Sequence, residues 1–332
     1  MTILFISNVW SDKFPEGNYP LNSRLLEKYH HNQIDKLQIE APSGLTHLIA
    51  MTKLFFGLIK RNKKYDRVII GYNNMFFTGL LTRWLIRSKQ FTTYFLYSKW
   101  YTFVKDYNHK LNFITKKLLY WSDLTDLKTA DLIWFDTKAH REMLTQYFPI
   151  IKNKQSEIEY VHTNYELFNP KNIPKTAMQF KNRVFFHGGY IPLQGTPIIT
   201  QAINELSSVY ILMIGRGHDY QKALSKITID DNFMFVDSVP YGVLPQCIYE
   251  SGVCLGGPFG NSEKAKSVIT NKTFEYLAVN KKTIVGDTPA NKELLDIFPE
   301  KKHLIYFCKI NDVKSLKNTI LKALGDEKND RE

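Results

Sequence analysis

The sequence predicts an α/β protein with two doubly wound, Rossmann-like domains that face each other across a cleft. Short apolar segments alternate with helix-like segments almost from end to end. The apolar segments are continuous, as in strands of a parallel sheet that is covered on both faces. A length of 332 residues favours two domains over one. We place an N-terminal domain at 1–165 and a C-terminal domain at 166–332, with the last helix a candidate to pack back on the first domain.

The first domain contains four predicted strands and five predicted helices. The strands are 3–7, 67–72, 92–97 and 132–135, and the helices are 21–31, 45–62, 75–87, 110–127 and 138–147. The boundary lies in a linker at 158–175, where two prolines, Pro170 and Pro174, interrupt the chain one turn apart.

The second domain repeats the alternation. Its predicted strands are 183–187, 209–215, 233–236, 253–257, 282–286 and 303–307, and its helices are 196–207, 219–226, 241–251, 271–279, 289–296 and 311–325. Open α/β sheets bind ligands beyond the carboxyl ends of their strands. We therefore expect the binding site in the cleft between the two domains.

The net charge of +12 and pI near 9.3 indicate an anionic partner: nucleic acid, a phosphorylated ligand or an anionic membrane surface.

The three cysteines lack C-x-x-C spacing, which argues against a disulfide framework or a zinc site and fits a reducing compartment. No run of about 20 apolar residues could span a membrane, and the N-terminus resembles a strand more than a signal peptide. We expect a cytoplasmic protein. Scattered histidines and the lack of a D-x-D pair argue against a protein-borne metal site.

Two glycine-containing loops are candidates for ligand binding. The first is HGGYIPLQG (187–195), which follows a strand and precedes a helix. Backbone N–H groups and the positive end of a helix dipole would suit a phosphate here, although an ordinary strand–turn–helix corner has the same composition. The sequence contains neither G-x-G-x-x-G nor a P-loop motif.

The second candidate is LGGPFGNSEKAKSVITNKTFE (255–275), which contains Lys264, Lys266 and Lys272. Lys272 and Glu275 are three residues apart and share one face of a predicted helix. They could form a surface ion pair, or the helix could present both groups to a ligand.

Residues 46–65 combine apolar positions at helical spacing with a cluster of basic residues. The apolar positions are Leu48, Met51, Phe55, Leu58 and Ile59. One interpretation is an amphipathic helix that packs on the first domain. The other is that its face docks on anionic lipid headgroups.

Three segments resemble the GT-B glycosyltransferases of family 4. They are FFHGGYIPLQGTPIITQAINEL (185–206), which carries the I-P-L-[HQ]-G loop, the segment 259–295 with the pattern K-A-x-x-V-I-x-N-K-x-x-E-x-L-A, and IEYVHTNYELFNP (158–170). The resemblance implies a retaining, metal-independent transferase with no cofactor. Its donor would be a nucleotide-diphosphate sugar. The basic segment 46–65 suggests an acceptor at the inner face of the cytoplasmic membrane, a glycan or a lipid-linked molecule in cell-surface polysaccharide biosynthesis. We therefore expect a cytoplasmic protein, peripheral on that face.

The resemblance also assigns site residues. Glu275 matches the glutamate that binds the nucleotide ribose, and Lys272 and Lys264 match basic residues at the diphosphate, with catalytic roles. The remaining donor-binding positions are Gly188, Gly189, Gln194, Gly195, Asn271 and Ser267. Three of these depart from the commoner pattern.

Gly189 stands where arginine is usual, Gln194 where lysine is usual, and Ser267 where a second glutamate is usual. The neutralisation of the diphosphate then rests on Lys264 and Lys272. Two other functions stay open. A sugar-nucleotide epimerase has the same architecture, and a non-enzymatic nucleic-acid binder would explain the charge, although no nucleic-acid-binding motif is present.

Overall fold

The computed structural model describes residues 1–9, 29, 31–40, 46–71, 75–96, 98–107, 109–174, 180–206, 208–228 and 230–325. The chain divides into two compact units, Met1–Tyr160 and Val161–Glu332. The division therefore falls shortly before the boundary that we placed after residue 165. Most of the predicted helix at 21–31 lies outside the described residues.

The first unit is a parallel six-stranded sheet with the order β2-β1-β3-β4-β5-β6. Its strands are β1 (Thr2–Val9), β2 (Gln33–Glu40), β3 (Lys64–Ile70), β4 (Arg87–Tyr94), β5 (Leu132–Phe135) and β6 (Gln155–Ile158). Its helices are α1 (Thr46–Lys60), α2 (Thr78–Leu85), α3 (Phe113–Thr129) and α4 (Lys138–Tyr147), and a π-helical segment covers Tyr101–Asp106.

Two edge strands, β2 and β6, were not among the predicted strands. Of the β2 residues only Leu37 and Ile39 are buried, so an edge strand with one covered face lacks a continuous apolar run. Helix α1 forms where expected, but Ala50, Leu54 and Leu58 form its buried stripe. The predicted apolar face of α1 was therefore wrong in part, because Leu48 and Ile59 are exposed.

The second unit is a second parallel six-stranded sheet, with the order β12-β11-β10-β7-β8-β9. Its strands are β7 (Phe180–His187), β8 (Tyr210–Ile214), β9 (Phe233–Val236), β10 (Ser251–Leu255), β11 (Lys282–Gly286) and β12 (Ile305–Cys308). Its helices are α5 (Thr196–Asn204), α6 (Tyr220–Leu224), α7 (Leu244–Tyr249), α8 (Glu263–Ser267), α9 (Asn271–Ala278), α10 (Pro289–Lys292), α11 (Leu294–Ile297) and α12 (Val313–Gly325). Helix α12 buries Leu316 and Ile320 in the core of this unit. The predicted fold class, a parallel α/β architecture, is therefore confirmed.

The segment 158–170 adopts a specific local backbone. His162 has φ of +52°, a left-handed conformation that glycine favours. The Asn164 side chain accepts hydrogen bonds from the amides of Glu166 and Leu167 at 3.1 and 3.0 Å. Phe168 is fully buried and packs against the Tyr241 ring at a centroid distance of 5.5 Å. The segment therefore forms a turn that is held by the Asn164 side chain and anchored by Phe168.

A buried lysine links β4, α2 and α3 in the first unit. Lys99 Nζ lies 3.3 Å from Asp123 Oδ1 and 3.2 Å from Asp126 Oδ2, and all three side chains are buried. Asp126 also accepts the amide of Gly79 at 2.7 Å, and Asp123 accepts the hydroxyl of Ser98 at 2.8 Å. Burial alone would lower the pKa of Lys99, but Asp126 and Asp123 together raise it. The ammonium therefore stays charged and neutralises the carboxylates.

Replacing Lys99 should destabilise the first unit strongly. We expect Lys99→Met to lower the free energy of unfolding by about 3–5 kcal/mol at neutral pH, because two buried carboxylates lose their counterion. The loss should shrink towards pH 5, where a carboxylate can take up a proton. Urea unfolding at both pH values measures this. The exposed pair Lys89–Asp66 supplies a matched control, and Lys89→Met should change stability by at most about 1 kcal/mol. Equal effects of the two substitutions would contradict the assigned role of Lys99.

Candidate functional site

The strand order of the second unit reverses between β7 and β10. From β7 the chain adds β8 and β9 on one side, and then adds β10, β11 and β12 on the other. In open α/β sheets, ligands bind at such a reversal, beyond the carboxyl ends of the strands. The loop after β7 and the loop after β10 meet here, since the Gly260 amide donates to the Leu193 carbonyl at 2.9 Å. Both loops that the sequence singled out therefore belong to one site.

The glycine loop needs its glycines at two positions. Gly195 has φ of +66°, and a Cβ there would lie 2.7 Å from the carbonyl carbon of Phe259 in the other loop. Gly188 has φ of +131°, a conformation that glycine tolerates. Gly215, in the loop after β8, packs so closely against it that a Cβ on Gly215 would lie 2.2 Å from the Gly188 carbonyl oxygen. Gly189 is open, with Ile191 the nearest neighbour of an added Cβ at 3.9 Å. The loop is thus fixed by its neighbours, and α5 begins directly after it at Thr196.

Lys272 is buried beside this loop, with 4% of its surface exposed. Its Nζ donates to Gln194 Oε1 at 2.5 Å and lies 4.7 Å from the centre of the Phe186 ring. A Cβ on Gly188 would stand 3.6 Å from the same Nζ. No carboxylate of a described residue forms an ion pair with it. Burial lowers the pKa of Lys272 to about 7, although Glu275 opposes the shift.

Glu275 is 1% exposed and contacts three polar side chains. Asn271 Nδ2 donates to Oε1 at 2.6 Å, and the Tyr241 hydroxyl donates to the same oxygen at 3.0 Å. His187 Nε2 lies 2.8 Å from Oε2. The interpretation of Lys272 and Glu275 as a surface ion pair was therefore wrong, because both side chains are buried within the site.

The other predicted residues lie in and around α8. Ser262 caps this helix by accepting the Ala265 amide at 3.1 Å. Ser267 is buried, and its hydroxyl donates to the Lys264 carbonyl at 3.1 Å, so this side chain serves the local backbone. Lys264 is half-buried and Lys266 is exposed. The structure brings Lys272 together with Gln194 and Gly188, and Glu275 together with Asn271.

His187, Tyr241 and Tyr276 also belong to the site, although none of them was predicted as a site residue. The Tyr276 hydroxyl lies 3.0 Å from His187 Nδ1, so His187 contacts Tyr276 on one nitrogen and Glu275 on the other. The position of His187 at a strand end beside two glycines was a usable signal. The sequence carried no comparable signal for Tyr241, because it comes from the loop after β9, 34 residues from Glu275.

No group of three or more His, Cys, Asp or Glu side chains in the described part of the chain could hold a metal ion. None of the described helices has the length and apolar character to cross a membrane.

Comparison with known proteins supports the fold. No protein-family model matches the sequence, and no curated protein matches it. Among solved structures, sucrose-phosphate synthase from Thermosynechococcus elongatus is 13% identical with a TM-score of 0.73, and the match covers 98% of this chain and 90% of that one. HepE from Anabaena, solved in complex with UDP and glucose, is 14% identical with a TM-score of 0.68 over 99% of this chain and 91% of that one.

A third similar structure is WaaG, a glycosyltransferase involved in lipopolysaccharide biosynthesis. It is 9% identical with a TM-score of 0.66, and the match covers 99% of this chain and 91% of that one. At such low identities the similarity establishes the fold, and function is argued from the site. The chain has the two-unit α/β fold of the GT-B glycosyltransferases.

Proposed function

We propose that this chain is a glycosyltransferase that uses a nucleotide-diphosphate sugar as donor. The observation that carries the proposal is the buried ammonium of Lys272. It lies at the reversal point of a parallel sheet, next to a glycine without a side chain, and its close contacts are a neutral amide oxygen and a ring. A buried cation without a counterion is unfavourable, and an anionic ligand at this point would supply the missing charge.

The departing diphosphate is the group that this site can stabilise. Glycosyl transfer develops negative charge on the leaving group, and fixed cations and helix N-termini stabilise such charge. Lys272 is fixed by Gln194 and by burial, and the N-terminus of α5 follows the same loop. Gln194 stands where the resemblance expects a second cation, so Lys272 and Lys264 would carry the neutralisation.

We propose that Glu275 binds the ribose hydroxyls of the donor by exchanging one partner. Its Oε1 already accepts from Asn271 and Tyr241. Tyr241 is half-buried in a loop, and a ribose hydroxyl could take the place of its hydroxyl as donor to Oε1. In this proposal Asn271 and His187 hold the carboxylate in place.

The proposal also extends to the family, the stereochemistry, the cofactor requirement and the location of the protein. We propose membership of family 4, retention of anomeric configuration, independence of metal and cofactor, and a cytoplasmic location at the inner membrane face. The acceptor is proposed to be a glycan or lipid-linked molecule of cell-surface polysaccharide. WaaG, a structural neighbour, is involved in lipopolysaccharide biosynthesis, which supports this acceptor class.

A donor screen tests the proposed function. We expect one of UDP-, GDP-, ADP- or TDP-sugars to raise the melting temperature, and that donor to support sugar transfer with retained configuration. Lys272→Met should reduce turnover by about 100-fold or more, because it removes a charge that stabilises the leaving group. The exposed Lys266 is the matched control, and Lys266→Met should act like the wild type.

Three results would contradict the proposal. These are full activity of Lys272→Met, conversion of the donor to its epimer without any acceptor, and no stabilisation by any nucleotide sugar together with salt-dependent binding of nucleic acid.

Donor binding should be coupled to proton uptake at Lys272. At about pH 8.5 the free side chain is mostly neutral, since its pKa is about 7 and its usual value is 10.5. A bound diphosphate raises this pKa, so the protein should take up nearly one proton, and donor affinity should fall as pH rises above 7. Below about pH 6 the side chain is already charged and uptake should vanish.

Calorimetric titration with a nucleotide sugar in buffers of different ionisation enthalpy measures this uptake. The diphosphate of the donor is a diester and does not titrate in this range. Uptake of the same size in Lys272→Met would assign the proton to another group, whereas Lys266→Met should behave as the wild type does.

The proposed exchange at Glu275 predicts opposite effects of two substitutions. Glu275→Gln should weaken donor binding by about 10- to 100-fold, because the ribose loses a charged acceptor. Tyr241→Phe should preserve or tighten it, because the competing hydroxyl is gone. Isothermal titration with the donor and with its free sugar-1-phosphate locates the loss at the nucleoside. Equal weakening by both substitutions would show that Glu275 and Tyr241 only support the site.

A further inference from the structure

Helices α1, α2 and α3 form one layer on the first unit. They connect β2 to β3, β3 to β4 and β4 to β5, and all three connections run in the same direction along the sheet. Right-handed crossovers therefore place the three helices on the same face. Helix α2 packs against both α1 and α3. We call the solvent side of this layer the α1–α3 surface.

The α1–α3 surface is apolar to an unusual degree. Of the seventeen large apolar side chains that are exposed among the described residues, ten lie on these three helices. Helix α1 exposes Leu48, Ile49, Phe56 and Ile59. A surface with this concentration of exposed apolar groups is typical of an interaction site.

Helices α2 and α3 continue the same surface with two tryptophans. Trp84 on α2 is 74% exposed, and Trp121 on α3 is 51% exposed. Ile114 on α3 is 77% exposed, and Phe113 and Leu118 of the same helix are also exposed. Tryptophan is favoured where an apolar region meets water, since its ring is apolar and its N–H is polar.

The charge of the chain is concentrated in the same part of the sequence. Residues 46–130 contain fifteen Lys and Arg against four Asp, a net charge of +11 out of +12 for the whole chain. The exposed charged side chains of the three helices are all basic: Lys53, Lys60, Arg83, Lys117 and Lys128. Their two acidic residues are buried against Lys99. Of the five, Arg83 is paired with the exposed Asp131 at 3.0 Å, just beyond the end of α3. The outer surface of the helices therefore combines apolar groups with an excess of positive charge.

The lysines lie at the edge of the apolar groups. Lys117 Nζ is 4.4 Å from the centre of the Phe113 ring, and Lys128 Nζ is 5.9 Å from the Trp121 ring. In this arrangement a ring can enter an apolar phase while the neighbouring ammonium stays at its polar boundary.

We propose that the α1–α3 surface docks on an anionic lipid bilayer. Positive charge attracts the headgroups, and exposed aromatic and aliphatic side chains enter the interface below them. Exposed leucine and isoleucine argue against nucleic acid, which proteins bind mainly through charged and polar groups. The preponderance of lysine argues against a protein partner, because lysine is depleted at protein interfaces. The surface extends the membrane contact expected of residues 46–65 to α2 and α3. It does not depend on the proposed donor site.

Vesicle flotation with the full chain tests the docking. The probes are vesicles of phosphatidylcholine alone and vesicles that also contain phosphatidylglycerol. We expect flotation with the anionic vesicles, weakened by salt, and little with the neutral ones. Trp84→Ser/Trp121→Ser and Lys53→Glu/Lys117→Glu should each lower partitioning by about tenfold or more.

Matched controls come from exposed residues of the second unit. Tyr210→Ser/Met234→Ser removes two exposed apolar groups there, and Lys222→Glu/Lys322→Glu reverses two exposed charges. Both should leave partitioning unchanged. All variants alter exposed side chains, and the midpoint of urea unfolding checks that each remains folded. Donor-induced stabilisation should be the same in the tryptophan variant, so a failure of docking is distinguishable from a failure of the proposed function.

Several results would overturn the proposal. One is the absence of flotation with anionic vesicles, and another is undiminished flotation of the tryptophan variant. A concentration-dependent dimer that Trp84→Ser/Trp121→Ser dissociates, without flotation, would assign the surface to a second copy of the chain. Binding of duplex DNA that excludes vesicles and survives the tryptophan substitutions would assign it to nucleic acid.

Discussion

The burial of the Lys272 ammonium is the constraint on which the candidate site depends. A charged group can remain in a packed interior only when its surroundings are arranged around it. Here the strand-end loop carries Gln194 to within 2.5 Å of Nζ, and Gly188 leaves the adjoining space free of a side chain. Gly195 and the loop after β10 fix that loop in turn, because nothing larger than hydrogen fits between Gly195 and Phe259. The site is thus formed by two loops that pack together where the strand order reverses. Lys272, on α9, contacts the first of these loops through Gln194.

The sequence predicted most of this framework for identifiable reasons. Central strands such as β7 and β10 are continuous apolar runs, and their ends carry the glycines, so periodicity and turn chemistry agreed. The edge strand β2 was not predicted, because pairing on one side only leaves it half-exposed and charged. Spacing placed Lys272 and Glu275 on one helical face, but it could not tell whether that face was buried. The partners of Glu275 were harder still, since Tyr241 and His187 reach it through tertiary packing from distant loops.

Two residues that differ from the pattern the chain resembles each have a partner in this structure. Gln194 stands where the pattern has a cation, and its oxygen accepts a hydrogen bond from Lys272 Nζ. Ser267 stands where the pattern has a carboxylate, and its hydroxyl donates to the carbonyl of Lys264. The site therefore has fewer charges than the pattern implies, with two positive groups absent, at Gly189 and Gln194, and one negative group absent, at Ser267. Under the proposed function, a site with this composition would rely on Lys272 and Lys264 and on the backbone around them.

The two buried lysines among the described residues show how burial and partners together distinguish a structural group from a candidate functional one. Lys99 and Lys272 are almost equally buried, yet the pKa of Lys99 is raised and that of Lys272 is lowered to about 7. The difference lies in the contacts: two carboxylates surround Lys99, whereas an amide oxygen and a ring face Lys272. The charge of Lys99 is satisfied within the fold, so its removal affects stability. The charge of Lys272 lacks a close carboxylate among the described residues, and a diphosphate would complete it in the way that Asp123 and Asp126 complete Lys99.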